Sequence, residues 1–163
     1  GRHCICLAKN GFDAIGVDAS LSALKLAKKW GQEENLDLTL VRSTMTHIPF
    51  LDGQFDAVIS VSVIHHALKA DVVKTIGEVH RILKGNGLLL ANLTSLSDRR
   101  YGAGEKVEEG TFRTLEAFEE KRFEELHHYF TKTEASELLA SFAKSKVESM
   151  KDRPNYWKIT AKK

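Results

Sequence analysis

The stretch DAIGVDASLSALKLAKKWG, residues 13–31, constrains the fold most strongly. A short β-prone run stops at one carboxylate, Asp18, and passes at once into a helix. Ser20 is a natural N-cap. Ala23, Ala27 and Trp30 then fall on one helical face, and Gly31 is placed to stop the helix. Strand-like and helix-like segments go on alternating. Residues 38–41 read as a strand. The turn IPFLDGQ, punctuated by Pro49 and Gly53, leads into FDAVISVSV, an almost unbroken apolar run of the kind a parallel strand covered on both faces requires. Val72, Ile76, Val79 and Leu83 recur at helical spacing, and KGNG turns that helix into a strand at 88–93. Ahead of all this, residues 2–10 read as a short helix ended by Gly11. This order predicts an α/β fold with a doubly wound, mostly parallel sheet. Ligands of such sheets lie outside the carboxyl ends of the strands, so the strand ends after Val17, Val41, Val61 and Leu93 are expected around one crevice.

The remainder is less regular. Residues 94–129 are charge-rich with scattered aromatics, and the runs EKVEE and FEEKRFEEL read as solvated helix faces. Thr131 and Glu134 form a capping box ahead of Ala135, Leu138, Leu139 and Phe142. Two β-like runs, 144–150 and 156–161, are joined through KDRPN as a C-terminal antiparallel hairpin, with its lysines as charges guarding a strand edge. A length of 163 residues suits a single domain over 1–163, in which 94–130 is a variable substrate or lid region. A net charge of +2 argues against a generic nucleic-acid binder. No apolar run approaches the roughly 20 residues that cross a bilayer, so no membrane association is expected. Cys4 and Cys6 stand two apart on a helix and face different ways, which disfavours both a disulfide and a two-thiolate metal clamp. Reduced thiols point to a cytoplasmic setting.

Four segments in order now resemble one family, the class I S-adenosylmethionine-dependent methyltransferases, and within it the small type 11 branch. GRH at residues 1–3 resembles the end of the glycine-rich first motif. IGVDAS resembles the second motif with its acid after strand two. MTHIPFLDGQFDAVISVSVIHH resembles the LPF-D-FD-V-HH block, and EVHRILKGNGLLLAN the E-R-LKPGG-L segment before strand five. The closing YWKITAKK resembles the family's last strand. The resemblance implies a Rossmann-like methyltransferase fold and S-adenosyl-L-methionine as cofactor. Two departures stand out. The strand before the glycine loop and the loop's first glycines are absent from the sequence, so a fragment is expected, because that strand lies mid-sheet and its loss leaves two neighbours without a shared partner. Thr44 stands where the family usually has an aspartate for the adenine amino group, and an uncharged hydroxyl accepts that hydrogen bond more weakly.

The resemblance also assigns roles. Asp18, with Ala19 beside it, would hold the ribose hydroxyls, since an ionised carboxylate accepts two donors; a helix-capping aspartate is the plain alternative. Gly1 would let the backbone approach the methionine part of the cofactor. Thr44 and the Met45 backbone would meet the adenine, and the Ser60 and Val61 carbonyls the cofactor's amino group. His65 and His66 are the candidate catalytic residues, placed to orient a substrate or take a proton. Tyr101, Phe112, His127, His128 and Tyr129 are candidates for an acceptor pocket. The four histidines invite a metal, but neighbours on an extended chain point to opposite sides and chelate poorly, so no metal is expected. The function implied is methyl transfer to a small-molecule acceptor. Methylation of a tRNA wobble uridine, with Arg99, Arg100 and the C-terminal lysines as a basic surface, and a non-catalytic cofactor-binding scaffold are the alternatives. A nicotinamide enzyme also uses an acid after strand two, but leaves the IPF turn and the VIHH run unexplained.

Overall fold

In the computed structural model, residues 1–118 and 121–163 are described. They form two compact units, Gly1–Pro49 and Phe50–Lys163.

The first unit runs α1 (Arg2–Lys9), β1 (Ile15–Asp18), α2 (Leu21–Glu33) and β2 (Thr39–Arg42). The strands pair in parallel from Ile15 opposite Thr39 to Asp18 opposite Arg42. Ser20 caps α2 as its sequence position implies, its Oγ accepting the Ala23 N–H at 3.2 Å. Gly31 does not stop this helix. It is buried inside the last turn, where a Cβ would lie 3.0 Å from the Leu38 side chain, so the glycine serves close helix–strand packing. The chain instead turns at Asn35, in the left-handed region at φ 57°. Cys4 and Cys6 are free thiols.

The second unit holds β3 (Phe55–Ser60), α3 (Lys69–Ile82), β4 (Leu83–Thr94), β5 (Glu105–Glu108), β6 (Thr111–Phe118), β7 (Lys121–His128), α4 (Lys132–Glu137), β8 (Lys144–Ser149) and β9 (Tyr156–Lys162). β3 and β4 are parallel, β9 lies antiparallel to β4, and β8 antiparallel to β9, giving the order β3-β4-β9-β8. β5, β6 and β7 form a separate antiparallel sheet. Val72, Val79, Leu83, Leu89, Leu93 and Ile159 are all but fully buried between α3 and the four-stranded sheet's strands.

Four expectations are corrected here. The fold is α/β with a C-terminal hairpin, but it is mixed rather than mostly parallel, because the β4–β9, β8–β9, β5–β6 and β6–β7 strand pairings are antiparallel. The links within β5–β7 and between β8 and β9 are too short for the crossover that a parallel partner needs, whereas β9 meets β4 from a distant part of the chain. β3 ends at Ser60, three residues short of the apolar run, and Asp56, Ala57 and Ile59 are exposed because it is the edge strand of its sheet. Finally, EKVEE and the described part of FEEKRFEEL are strand rather than helix; Glu119 and Glu120 lie outside the described residues. KGNG also sits inside β4, where Asn86 at φ 70° accompanies an irregularity in the β3–β4 register.

Candidate cofactor and acceptor sites

In the first unit, Asp18 closes β1 with its side chain exposed, and its Oδ1 accepts the Ser20 N–H at 2.8 Å. That bond orients the carboxylate and leaves acceptor capacity on both oxygens. The Asp18 carbonyl accepts the Ser43 N–H at 3.2 Å, tying the ends of β1 and β2 together. Thr44 follows at once, exposed, with its hydroxyl 3.3 Å from that of Thr46. Ala19 is exposed, and its carbonyl accepts from Arg42 Nε. Met45 is half-buried. The fit to an adenosine moiety is therefore sound in chemistry: an oriented carboxylate and an exposed hydroxyl lie at the carboxyl ends of two hydrogen-bonded parallel strands. Gly1 has a packing role as well. A Cβ there would lie 2.8 Å from that of Ala27, so glycine lets α1 start against α2.

In the second unit, Ser60 ends β3, Val61 follows it, and the chain then turns sharply. Ser62 takes φ 56°, a conformation costly for a residue with a side chain, and its N–H donates to Asn92 Oδ1 at 2.6 Å. Asn92 is buried in β4, and its Nδ2 has no partner among the described residues. This turn delivers His65 and His66. The His65 carbonyl accepts the His128 N–H at 2.8 Å, which brings the end of β7 against the turn. His65 is 1% exposed. Its burial, with His66 and His127 nearby, pushes its pKa down to about 2, against a hydrogen bond that the ring donates to the Asn92 backbone carbonyl, which raises it. Burial also lowers His66, opposed chiefly by the Glu125 carboxylate. Both rings thus favour the neutral form, with Glu125 facing His66 Nδ1 at 3.3 Å.

β6 and β7 carry two threonine–histidine couples. Thr111 Oγ1 donates to Glu108 at 2.8 Å and so accepts from His128 Nδ1 at 2.6 Å. Thr114 Oγ1 donates to the Glu125 carbonyl at 3.4 Å and lies 3.1 Å from His127 Nδ1. The two histidines turn to opposite faces, as adjacent strand residues must. Glu108 goes on to accept the Lys69 N–H at 2.6 Å, capping α3, whose N-cap Leu68 has no side chain able to do so.

The expected acceptor residues are brought together in part. Tyr101 packs edge-on against Phe112 at 5.4 Å and Tyr129 at 5.5 Å, and Tyr129 stacks near His127 at 6.2 Å. Tyr101 is exposed, whereas His127, His128 and Tyr129 are fully buried. His128 stands apart, against Phe130 and Thr111. A cavity of about 520 Å³ opens beside the loop after β4, lined by Ser97, Asp98, Arg99, Arg100 and Asn155. Arg100 is clamped there by Asp98, with Nε 3.0 Å from Oδ1. Sequence reasoning missed Glu125, Thr114, Asn92 and Asp98. The pattern Glu125-x-His127 was the available signal for Glu125, because residues two apart in a strand share a face.

Residues 1–91 match the family described as a methyltransferase domain. The chain is 34% identical over 97 residues to a putative methyltransferase of Bacillus subtilis, a match covering 58% of this chain and 39% of that protein. It superposes on the crystal structure of protein PH0226 from Pyrococcus horikoshii with a TM-score of 0.81 at 19% identity, covering 99% of this chain and 78% of that one. The structure of an S-adenosylmethionine-dependent methyltransferase from Methanosarcina mazei gives 0.79 at 20% identity, covering 98% and 85%. The chain belongs to the class I S-adenosylmethionine-dependent methyltransferases, in their type 11 branch. It spans well under half the length of the curated relatives it matches. Among the described residues, no helix is long and apolar enough to cross a membrane.

Proposed function

We propose that this protein transfers the methyl group of S-adenosyl-L-methionine to a small-molecule acceptor in the cytoplasm. The observation that carries the reading is Asp18, an exposed carboxylate oriented by a backbone N–H at the carboxyl end of a parallel strand, with Thr44 at the end of the strand beside it. The cofactor supplies an activated methyl group on a sulfonium. Asp18 accepts the ribose hydroxyls, with the Ala19 backbone beside it. Thr44 and the Met45 N–H serve the adenine, Gly1 the methionine end, and the Ser60 and Val61 carbonyls the amino group. His65 and His66, held neutral by burial, add no positive charge that would oppose an acceptor already facing a cationic donor. Tyr101 offers the exposed edge of the acceptor side, with Tyr129, His127 and His128 as the buried wall behind it. The near-neutral net charge supports a small acceptor over a nucleic acid.

Calorimetry on the full-length protein tests this reading. Two charge-assisted hydrogen bonds at about 1.5 kcal/mol each predict that Asp18→Ala weakens S-adenosylmethionine binding about 100-fold. No binding by the unaltered full-length protein would replace the enzyme with a scaffold that keeps the fold.

A further inference from the structure

Two histidine pairs enter the second unit from distant parts of the sequence, and neither chelates as a pair. The fold recombines them. With His128 bonded through its N–H to the His65 carbonyl, His66 lies over the face of β7 that carries Glu125 and His127. His66 Nδ1 is 3.3 Å from Glu125 Oε1, and His127 Nε2 is 3.6 Å from Glu125 Oε2. The three ligand atoms lie within 4.8 Å of one another. We propose that His66, Glu125 and His127 bind a divalent transition metal of the zinc class, through His66 Nδ1, His127 Nε2 and the carboxylate.

The spacing suits such an ion. Ligands held at about 2.0–2.1 Å around a tetrahedral centre stand about 3.4 Å apart, close to the two carboxylate separations. Small ring rotations bring the two imidazoles in. Two nitrogens and one carboxylate form a borderline donor set, which selects zinc, cobalt or nickel over calcium and magnesium. The outer shell is already built. Thr114 Oγ1 lies 3.1 Å from His127 Nδ1, a contact that holds the ring with Nε2 turned towards the carboxylate. Access is open from one side: His127 is 1% exposed, but His66 is 24% and Glu125 33%. Three protein ligands leave a fourth position for water or for an acceptor oxygen or sulfur, the arrangement of catalytic rather than structural zinc.

The test uses the full-length protein, stripped with a chelator and titrated with cobalt(II) in the absence of S-adenosylmethionine, so its result is independent of cofactor binding. The expected result is one cobalt per chain with the visible absorption of a four-coordinate site, displaced by zinc. Glu125→Gln, which keeps the side chain's size, should weaken binding by at least about tenfold, and Thr114→Val by about tenfold through the outer shell. His47→Gln, a surface histidine of the first unit, should bind as the unaltered protein does. Absence of the four-coordinate spectrum from the unaltered protein overturns the proposal. So does affinity within twofold of the unaltered protein in a folded Glu125→Gln variant, a margin of about 0.4 kcal/mol that no lost ligand would leave.

Discussion

Asp18 carries two loads. Its Oδ1 fixes the start of α2 through the Ser20 N–H, and the proposed function asks the carboxylate as a whole to hold a ribose. The two are compatible because one oxygen accepts two hydrogen bonds. Thr44 is the weaker member of the site. Replacing its hydroxyl by a carboxylate should strengthen the bond to an exocyclic amine by about 1 kcal/mol, so Thr44→Asp is expected to tighten S-adenosylmethionine binding about fivefold. Unchanged or weaker binding would remove Thr44 from the adenine. Asp18 was singled out by the strand it closes, and Thr44, two residues beyond β2, by the family resemblance. Glu125 was not. It sits in a charge-rich run whose spacing fits a helix surface, and only the β6–β7 register, Thr114 opposite Glu125, places it with His127 on one face.

The same contrast holds for elements. α1, α2, α3, the capping box and the terminal hairpin are set by short-range signals, and the structure has them within a few residues of their expected bounds. Thr131 accepts the Glu134 N–H at 3.1 Å while Glu134 returns a bond to the Thr131 N–H. Thr131→Ala should therefore cost about 1 kcal/mol, read as a lower denaturant midpoint at unchanged slope. The β5–β7 sheet was illegible because its strands bury only part of one face. Arg113, Leu115, Phe123 and Glu124 are wholly or partly exposed, so no clean alternation marks it. A hard constraint on it is Gly104, at φ 83°, where a Cβ would fall 2.2 Å from the Arg113 carbonyl oxygen. Gly104→Ala combines that overlap with a left-handed conformation and should cost at least about 2 kcal/mol. A loss under half that would mean that β5 separates from β6 without consequence.

Across the larger unit, stability is tied to two carboxylates that join segments far apart in sequence. Burial alone would raise the Asp98 pKa, but Arg100 and Asn155, from the loop before β9, hold it at about 2. Burial likewise opposes the bonds from Lys69 of α3 and from Thr131 that hold Glu134 at about 2. Ordinary aspartate and glutamate side chains titrate near 3.8 and 4.5. Between those values and about 2, the unfolded chain binds protons that the folded chain refuses. Stability contributed by both groups is thus complete above about pH 4.5 and is lost as the pH falls towards 2. Combining Asp98→Asn with Glu134→Gln should lower the urea midpoint at pH 7 and flatten its decline over that window. A double variant whose midpoint falls with acid as steeply as that of the unaltered protein would show that other carboxylates govern acid unfolding, and that the 94–100 loop and α4 are not anchored by these two charges.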